Sequence, residues 1–120
     1  MHAVWFKDEI CEELKGAETY LKCAIDNMKT NPDWAKTFHA MAEQEQEHAT
    51  NIYKMFMDMY TNTEEPTTYM KSCRDAIMKC FSDSMREIED LKTGYNMMWK
   101  AASTTTPITT PITTTKTNLL

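Results

Sequence analysis

Apolar residues recur with helical spacing along most of this chain. Ile10, Leu14, Ala17, Leu21, Ala24, Ile25 and Met28 follow i, i+3, i+4 steps, which predicts an amphipathic helix from about Val4 to Lys29. The stretch "TNPDW" ends it. Asn31 suits a helix cap, Pro32 the first helical position and Asp33 the positive end of the helix dipole. A second helix is therefore expected from there to about Tyr60, with Phe38, Met41, Ala42, Ala49, Ile52, Met55, Phe56 and Met59 turned inward. "TNTEEPTT" marks the next break, with Thr63 or a neighbour as cap and Pro66 in the first turn. The third helix is predicted from about Thr67 to Ala101. Its stripe is Met70, Cys73, Ile77, Cys80, Phe81, Ser84, Ile88, Leu91, Tyr95 and Trp99, and Gly94 marks a bend or a close contact.

The pattern stops after Ala102. Residues 103–120 hold nine threonines, no acid and the repeat "PITTPITT". Such a segment cannot build a packed core and is expected to be extended. The division is thus a helical domain over 1–102 and a Thr/Pro-rich tail over 103–120.

Composition agrees with an all-α fold. The chain has 120 residues, only two glycines and four prolines, and both glycines fall inside helical patterns. The net charge of −5, with every acid ahead of Ser103, disfavours nucleic acid as a partner. No apolar run approaches the ~20 residues of a membrane span, and "MHAVWFKDEICEE" has no signal-peptide core, so a cytoplasm-like compartment is expected. Cys11, Cys23, Cys73 and Cys80 contain no C-x-x-C pair, which argues against a zinc ribbon or a rubredoxin-type iron site. They read as buried thiols in a reducing compartment. A cysteine redox sensor is the weaker alternative, because no thiol sits at a helix start or beside a base.

The candidate chemistry lies in "AEQEQEHA", Ala42 to Ala49. At about 100° per residue, Glu45 falls within the apolar stripe of its helix, while Glu43 and Glu47 point the opposite way and His39 lies on the outer side. His48, one turn beyond Glu45 and toward one edge of the apolar face, completes an inward E-x-x-H pair. A carboxylate among apolar side chains costs several kcal/mol unless it meets a cation or strong donors. Arg74 or Lys92 could bridge Glu45, the carboxyl could be protonated, or a metal could bind. On the first helix Glu13 flanks the apolar stripe, and Tyr20 lies on its side. Glu13 is either a boundary carboxylate or a second oxygen donor. Two carboxylates and an imidazole suit iron or manganese better than calcium or structural zinc.

"EELKGAETYLKCA" followed by "FHAMAEQEQEHATNIYKMF" resembles the first two helices of the ferritin-like superfamily, and rubrerythrin most of all. The likeness covers about Asp8 to Met57. It implies Glu13, Glu45 and His48 as metal ligands and catalytic residues, Tyr20 as a supporting residue behind them, and peroxide or oxygen chemistry. A complete ferritin-like domain has a second glutamate and a second E-x-x-H. The third helix offers neither, for "MREIEDLK" holds no histidine and its glutamates lean away from the stripe. The chain thus resembles half of a domain. A two-fold dimer would complete both the four-helix bundle and the di-iron ligand set, one Glu from each of two helices and Glu-x-x-His from each of the other two. Short encapsulated ferritins are similar in size.

Two functions are therefore expected to compete. One is a di-iron carboxylate protein, with manganese as an alternative metal, that oxidises Fe(II) with oxygen or peroxide at a site shared by two chains. The other is a metal-free structural or adaptor protein. A homodimer or higher oligomer is expected in either case. The tail, with Ile108, Ile112, Leu119 and Leu120 as spaced apolar anchors, is expected to dock on a protein shell or other large assembly, the alternative being a plain spacer.

Overall fold

A computed structural model of the chain describes residues 2–105. They form three helices, α1 (Ala3–Asp26), α2 (Pro32–Thr61) and α3 (Thr68–Thr105). No helix among them is long and apolar enough to cross a membrane. The bundle is a rod of 68 × 19 × 19 Å. Residues 103–105, assigned to the tail on composition, continue α3. The rest of the tail, with its expected docking role, lies outside the described residues.

Local chemistry sets the helix ends. The Asn31 side chain accepts a hydrogen bond from the Trp34 N–H at 3.3 Å, and Pro32 and Asp33 follow as expected. At the far ends of α1 and α2, Asn27 Nδ2 donates to the Cys23 carbonyl at 2.8 Å and Asn62 Nδ2 to the Asp58 carbonyl at 2.9 Å. Each carbonyl also accepts the backbone N–H of the same asparagine at 3.1 Å, so main chain and side chain together close the helix end. α3 starts where the Thr67 hydroxyl accepts from the Met70 N–H at 3.1 Å. Thr63, expected as that cap, instead finishes α2, its hydroxyl donating to the Met59 carbonyl at 2.8 Å.

α1 is the central helix and packs against both others. Ile10, Leu14, Ala17 and Leu21 are fully buried. α2 presents its narrow side to α1 through Ala35, Ala42, Ala49 and Phe56, which recur every seven residues and are all buried. Small residues at three of these positions let the two backbones approach. α3 contributes Cys73, Ile77, Ile88 and Tyr95 to the core. A second seven-residue series on α2 meets α3. His39 stacks on Tyr95 with ring centroids 4.4 Å apart, Gln46 Nε2 donates to Met85 Sδ at 3.5 Å, Tyr53 stacks on Phe81 at 4.3 Å, and Tyr60 lies under the Arg74 guanidinium at 4.9 Å. Seven residues fall about 20° short of two full turns, so such a series stays on one helix face over this length.

Three expectations are corrected. His39 is on the α3 face rather than the outer side, because α2 has two packed neighbours and the azimuth of one apolar stripe describes only one of them. Met55, expected inward, is 57% exposed. Cys11 and Cys80 are not separate buried thiols but a disulfide joining α1 to α3, with Cα atoms 6.0 Å apart across a sequence separation of 69. Cys23 and Cys73 remain free thiols, and Cys73 is buried as expected.

Candidate metal centre

Glu13 of α1 and Glu45 and His48 of α2 come together midway along the hairpin that these helices form. One donor atom from each lies within 4.8 Å of the others. His48 Nδ1 is 3.8 Å from Glu13 Oε1. Glu13 is largely covered, its side chain 21% exposed, whereas the His48 imidazole is 62% exposed. His48 therefore stands at the rim of the apolar face rather than within it. Glu45 is half-buried.

The neighbours remove one reading of Glu45, the bridge to a basic side chain. Arg74 is engaged elsewhere, with Nη2 3.1 Å from Asp75 Oδ1 and its plane over the Tyr60 ring. Lys92 lines a groove with Glu43, Gln46 and Glu47 on the α3 side of α2. Among the described residues no basic side chain is within ion-pairing reach of Glu45. A half-buried carboxylate beside a second carboxylate and an imidazole is a place where a cation can bind.

The donor set fits a metal ion of the iron or manganese kind. Donors about 2.0–2.2 Å from one ion lie at most about 4.4 Å apart, so the observed 4.8 Å closes with a small side-chain rotation. Oxygen and imidazole donors are the types those ions take. Gly16 supports the arrangement. A Cβ built there would lie 3.5 Å from Glu45 Cδ, so the α1 backbone passes close to the carboxylate and leaves it room. Gly16 is not visible as a site feature in the sequence, because its closeness to Glu45 depends on the register of two helices. Tyr20 lies two turns along α1 from Glu13 and its ring stacks on Phe38, centroids 6.2 Å apart. Glu43 and Glu47 are exposed, as expected.

One carboxyl outside the group is displaced in its titration. The Lys79 ammonium, hydrogen-bonded at 2.8 Å, holds exposed Asp83 on α3 below its ordinary range. That pair is local to α3 and far from the cluster in sequence.

Residues 7–105 match the rubrerythrin family model. The chain belongs to the rubrerythrin family. The match extends through α3, well past the stretch near Met57 where the motif resemblance ended. No curated protein and no solved structure matches the chain. Within this rubrerythrin-family chain the helices form an all-α ferritin-like half-bundle, with one glutamate and one E-x-x-H where a full bundle carries two of each.

Proposed function

We propose that this rubrerythrin-family protein binds iron through Glu13, Glu45 and His48, and that two copies form a di-iron carboxylate site that oxidises Fe(II) with oxygen or peroxide. The observation that carries the reading is the convergence of three donor groups from two helices on one point, around a carboxylate that no basic residue neutralises. Manganese suits the same donors. Bound iron supplies a one-electron redox couple and Lewis acidity.

The chain's own residues do the positioning. Glu45 and Glu13 provide oxygens from two helices that pack closely where the buried Ala42 and Ala49 of α2 face α1, so the spacing of their backbones is set by helix packing. His48 would give the ion an imidazole nitrogen beside the Glu13 carboxylate. Tyr20, stacked on Phe38, takes the part of a supporting residue behind the ligands. His48 is open to solvent on the side where a second copy would bring the matching half set.

Anaerobic Fe(II) titration tests the proposal. Saturation near two ions per dimer is expected, and Glu45→Ala should abolish it. Protein that takes up no Fe(II) under these conditions removes the reading. One observation favours the metal-free structural alternative, namely that a single chain holds only one E-x-x-H. Metal analysis of protein purified without chelator separates the two.

A further inference from the structure

The Cys11–Cys80 link lines an open groove between α1 and α3, about 580 Å³ in volume. Both cysteines are half-buried, so neither is sealed in the core. The residues one turn away on each helix explain the opening. Ala76 and Ser84 stand four residues before and after Cys80, and both line the groove. Side chains at that spacing share a helix face, and these two are too short to cover a sulfur. Lys7 and Lys15 flank Cys11 on α1 in the same way. Cys73, seven residues before Cys80, is by contrast only 5% exposed and belongs to the core. The seam around the link is also thin. α3 buries no residue between Ile77 and Ile88. Phe81 and Met85 in that stretch turn to Tyr53 and Gln46 of α2, which leaves the disulfide as the tie to α1.

We infer that Cys11–Cys80 is a thiol–disulfide exchange site, reduced in the folded protein by a dithiol that enters the groove. The inference does not rest on the iron reading above. A thiolate of the reductant bonds to Cys80 Sγ, the S–S bond breaks, and its electron pair goes to Cys11 Sγ, which takes up a proton from water. The reductant's second thiolate then attacks its own sulfur in the mixed disulfide, and Cys80 leaves and is protonated in turn. Two electrons pass to the pair, and the reductant departs as a disulfide. Cys80 is the more approachable sulfur, because its neighbours in the groove are short and those of Cys11 are long lysine stems. The reductant has to bring both sulfurs. Cys73 lies ~10.5 Å from Cys80 along α3 and Cys23 ~18 Å from Cys11 along α1, so neither free thiol reaches the mixed disulfide. Reduction removes the tie between α1 and the middle of α3, while Ile77 and Ile88 stay packed on either side of it. Amide hydrogen exchange over residues 78–87 should therefore rise in the reduced protein.

Timed reduction of the full chain by dithiothreitol tests this, with free thiols trapped by iodoacetamide and mapped by mass spectrometry. In folded protein the rate should rise in proportion to dithiothreitol and ignore urea added below the unfolding transition. A rate that levels off with dithiothreitol, or that follows the unfolded fraction, would overturn the proposal and make the link a sealed staple. Ala76→Leu and Ser84→Leu should each slow reduction of the folded protein by about tenfold or more, with the rate in fully unfolding urea unchanged. Folded variants reduced as fast as the parent would remove the groove as the route of entry. If a variant fails to fold, the parent's dependence on dithiothreitol still decides the question. Brief exposure to glutathione should leave an adduct on the Cys80 peptide, and an adduct on Cys11 instead would overturn the order of attack. A reduced protein dithiol of the thioredoxin type, at equal dithiol concentration, separates the two sources of reductant. Faster reduction than by dithiothreitol assigns the donor to a protein, and slower reduction to a small molecule.

Discussion

Two histidines on α2 make the same measured contact and mean different things. His39 Nδ1 lies 3.8 Å from Glu43 Oε1, and His48 Nδ1 lies 3.8 Å from Glu13 Oε1. The first pair is four residues apart on one helix, its glutamate more than half exposed, and the His39 ring is held by stacking on Tyr95. The second joins two helices, its glutamate is mostly covered, and a third donor, Glu45, completes the group. Nothing further is needed to explain His39, since packing fixes its ring and water screens its partner. His48 has no packing reason to be where it is. Distance alone does not mark a site. What marks it is a polar group that the chain's own packing leaves incomplete.

The same contrast runs between neighbouring residues 55 and 56. Phe56 is fully buried against Phe6, and Met55 faces outward. Phe56→Ala should cost ~3–5 kcal/mol of folding stability through transfer loss and the cavity left behind. Met55→Ala should leave the stability of the monomer nearly unchanged and weaken self-association. Urea unfolding and sedimentation equilibrium measure the two effects, and a Met55→Ala variant that unfolds as readily as Phe56→Ala would erase the distinction between the faces.

The α3 side can be loosened by itself. The Cys11–Cys80 link closes a loop across 69 positions, and disulfides of this kind stabilise by ~2–4 kcal/mol. Reduction, or Cys80→Ser, should lower the melting temperature accordingly while Fe(II) binding at Glu13, Glu45 and His48 survives. Thiol counting on denatured, unreduced protein should find two reactive groups, Cys23 and Cys73. Four would show that the pair is not linked.

The histidine comparison then sharpens. His48→Ala removes a proposed ligand and should lower Fe(II) affinity by more than the ~10–100-fold that loss of a supporting partner costs. His39→Ala should leave that affinity unchanged and lose ~0.5–1.5 kcal/mol of stability with the Tyr95 stack. Equal effects on metal binding would break the contrast.

The helices were legible because their signals are local. Asn31, Pro32 and Asp33 announce the start of α2 within three residues, and the apolar series of α1 matches its buried face almost residue for residue. Glu45 was legible as an anomaly, a carboxylate at an apolar azimuth. Glu13 and His48 were legible as its possible partners from their azimuths, but azimuth on one helix does not fix register with another, and the family likeness supplied that step. The Cys11–Cys80 link was missed for that reason. Each cysteine lies on an acceptable face, but their meeting depends on α1 and α3 running side by side with an offset of 69 residues. His39 was misplaced because α2 has two packed sides, and aromatic stacking gives the second side no hydrophobic signature in a histidine.

The smallest test concerns the two glycines. Gly94 has open space where a side chain would go, so Gly94→Ala should simply gain helix propensity, ~0.5–1 kcal/mol of stability. Gly16 sits in a helix of similar regularity, but a methyl there would stand 3.5 Å from the Glu45 carboxyl carbon. That is ordinary contact rather than a clash, so Gly16→Ala should also gain stability in metal-free protein. The cost should appear elsewhere. The methyl removes room into which the Glu45 carboxylate can turn, so the donor group loses part of the rotation that closes 4.8 Å onto one ion. Gly16→Ala should therefore bind Fe(II) more weakly than the parent, and Gly94→Ala should bind it equally well. Thermal melts without metal and anaerobic titrations on both variants resolve the point. If Gly16→Ala gains stability and keeps full affinity, the glycine is incidental to the site.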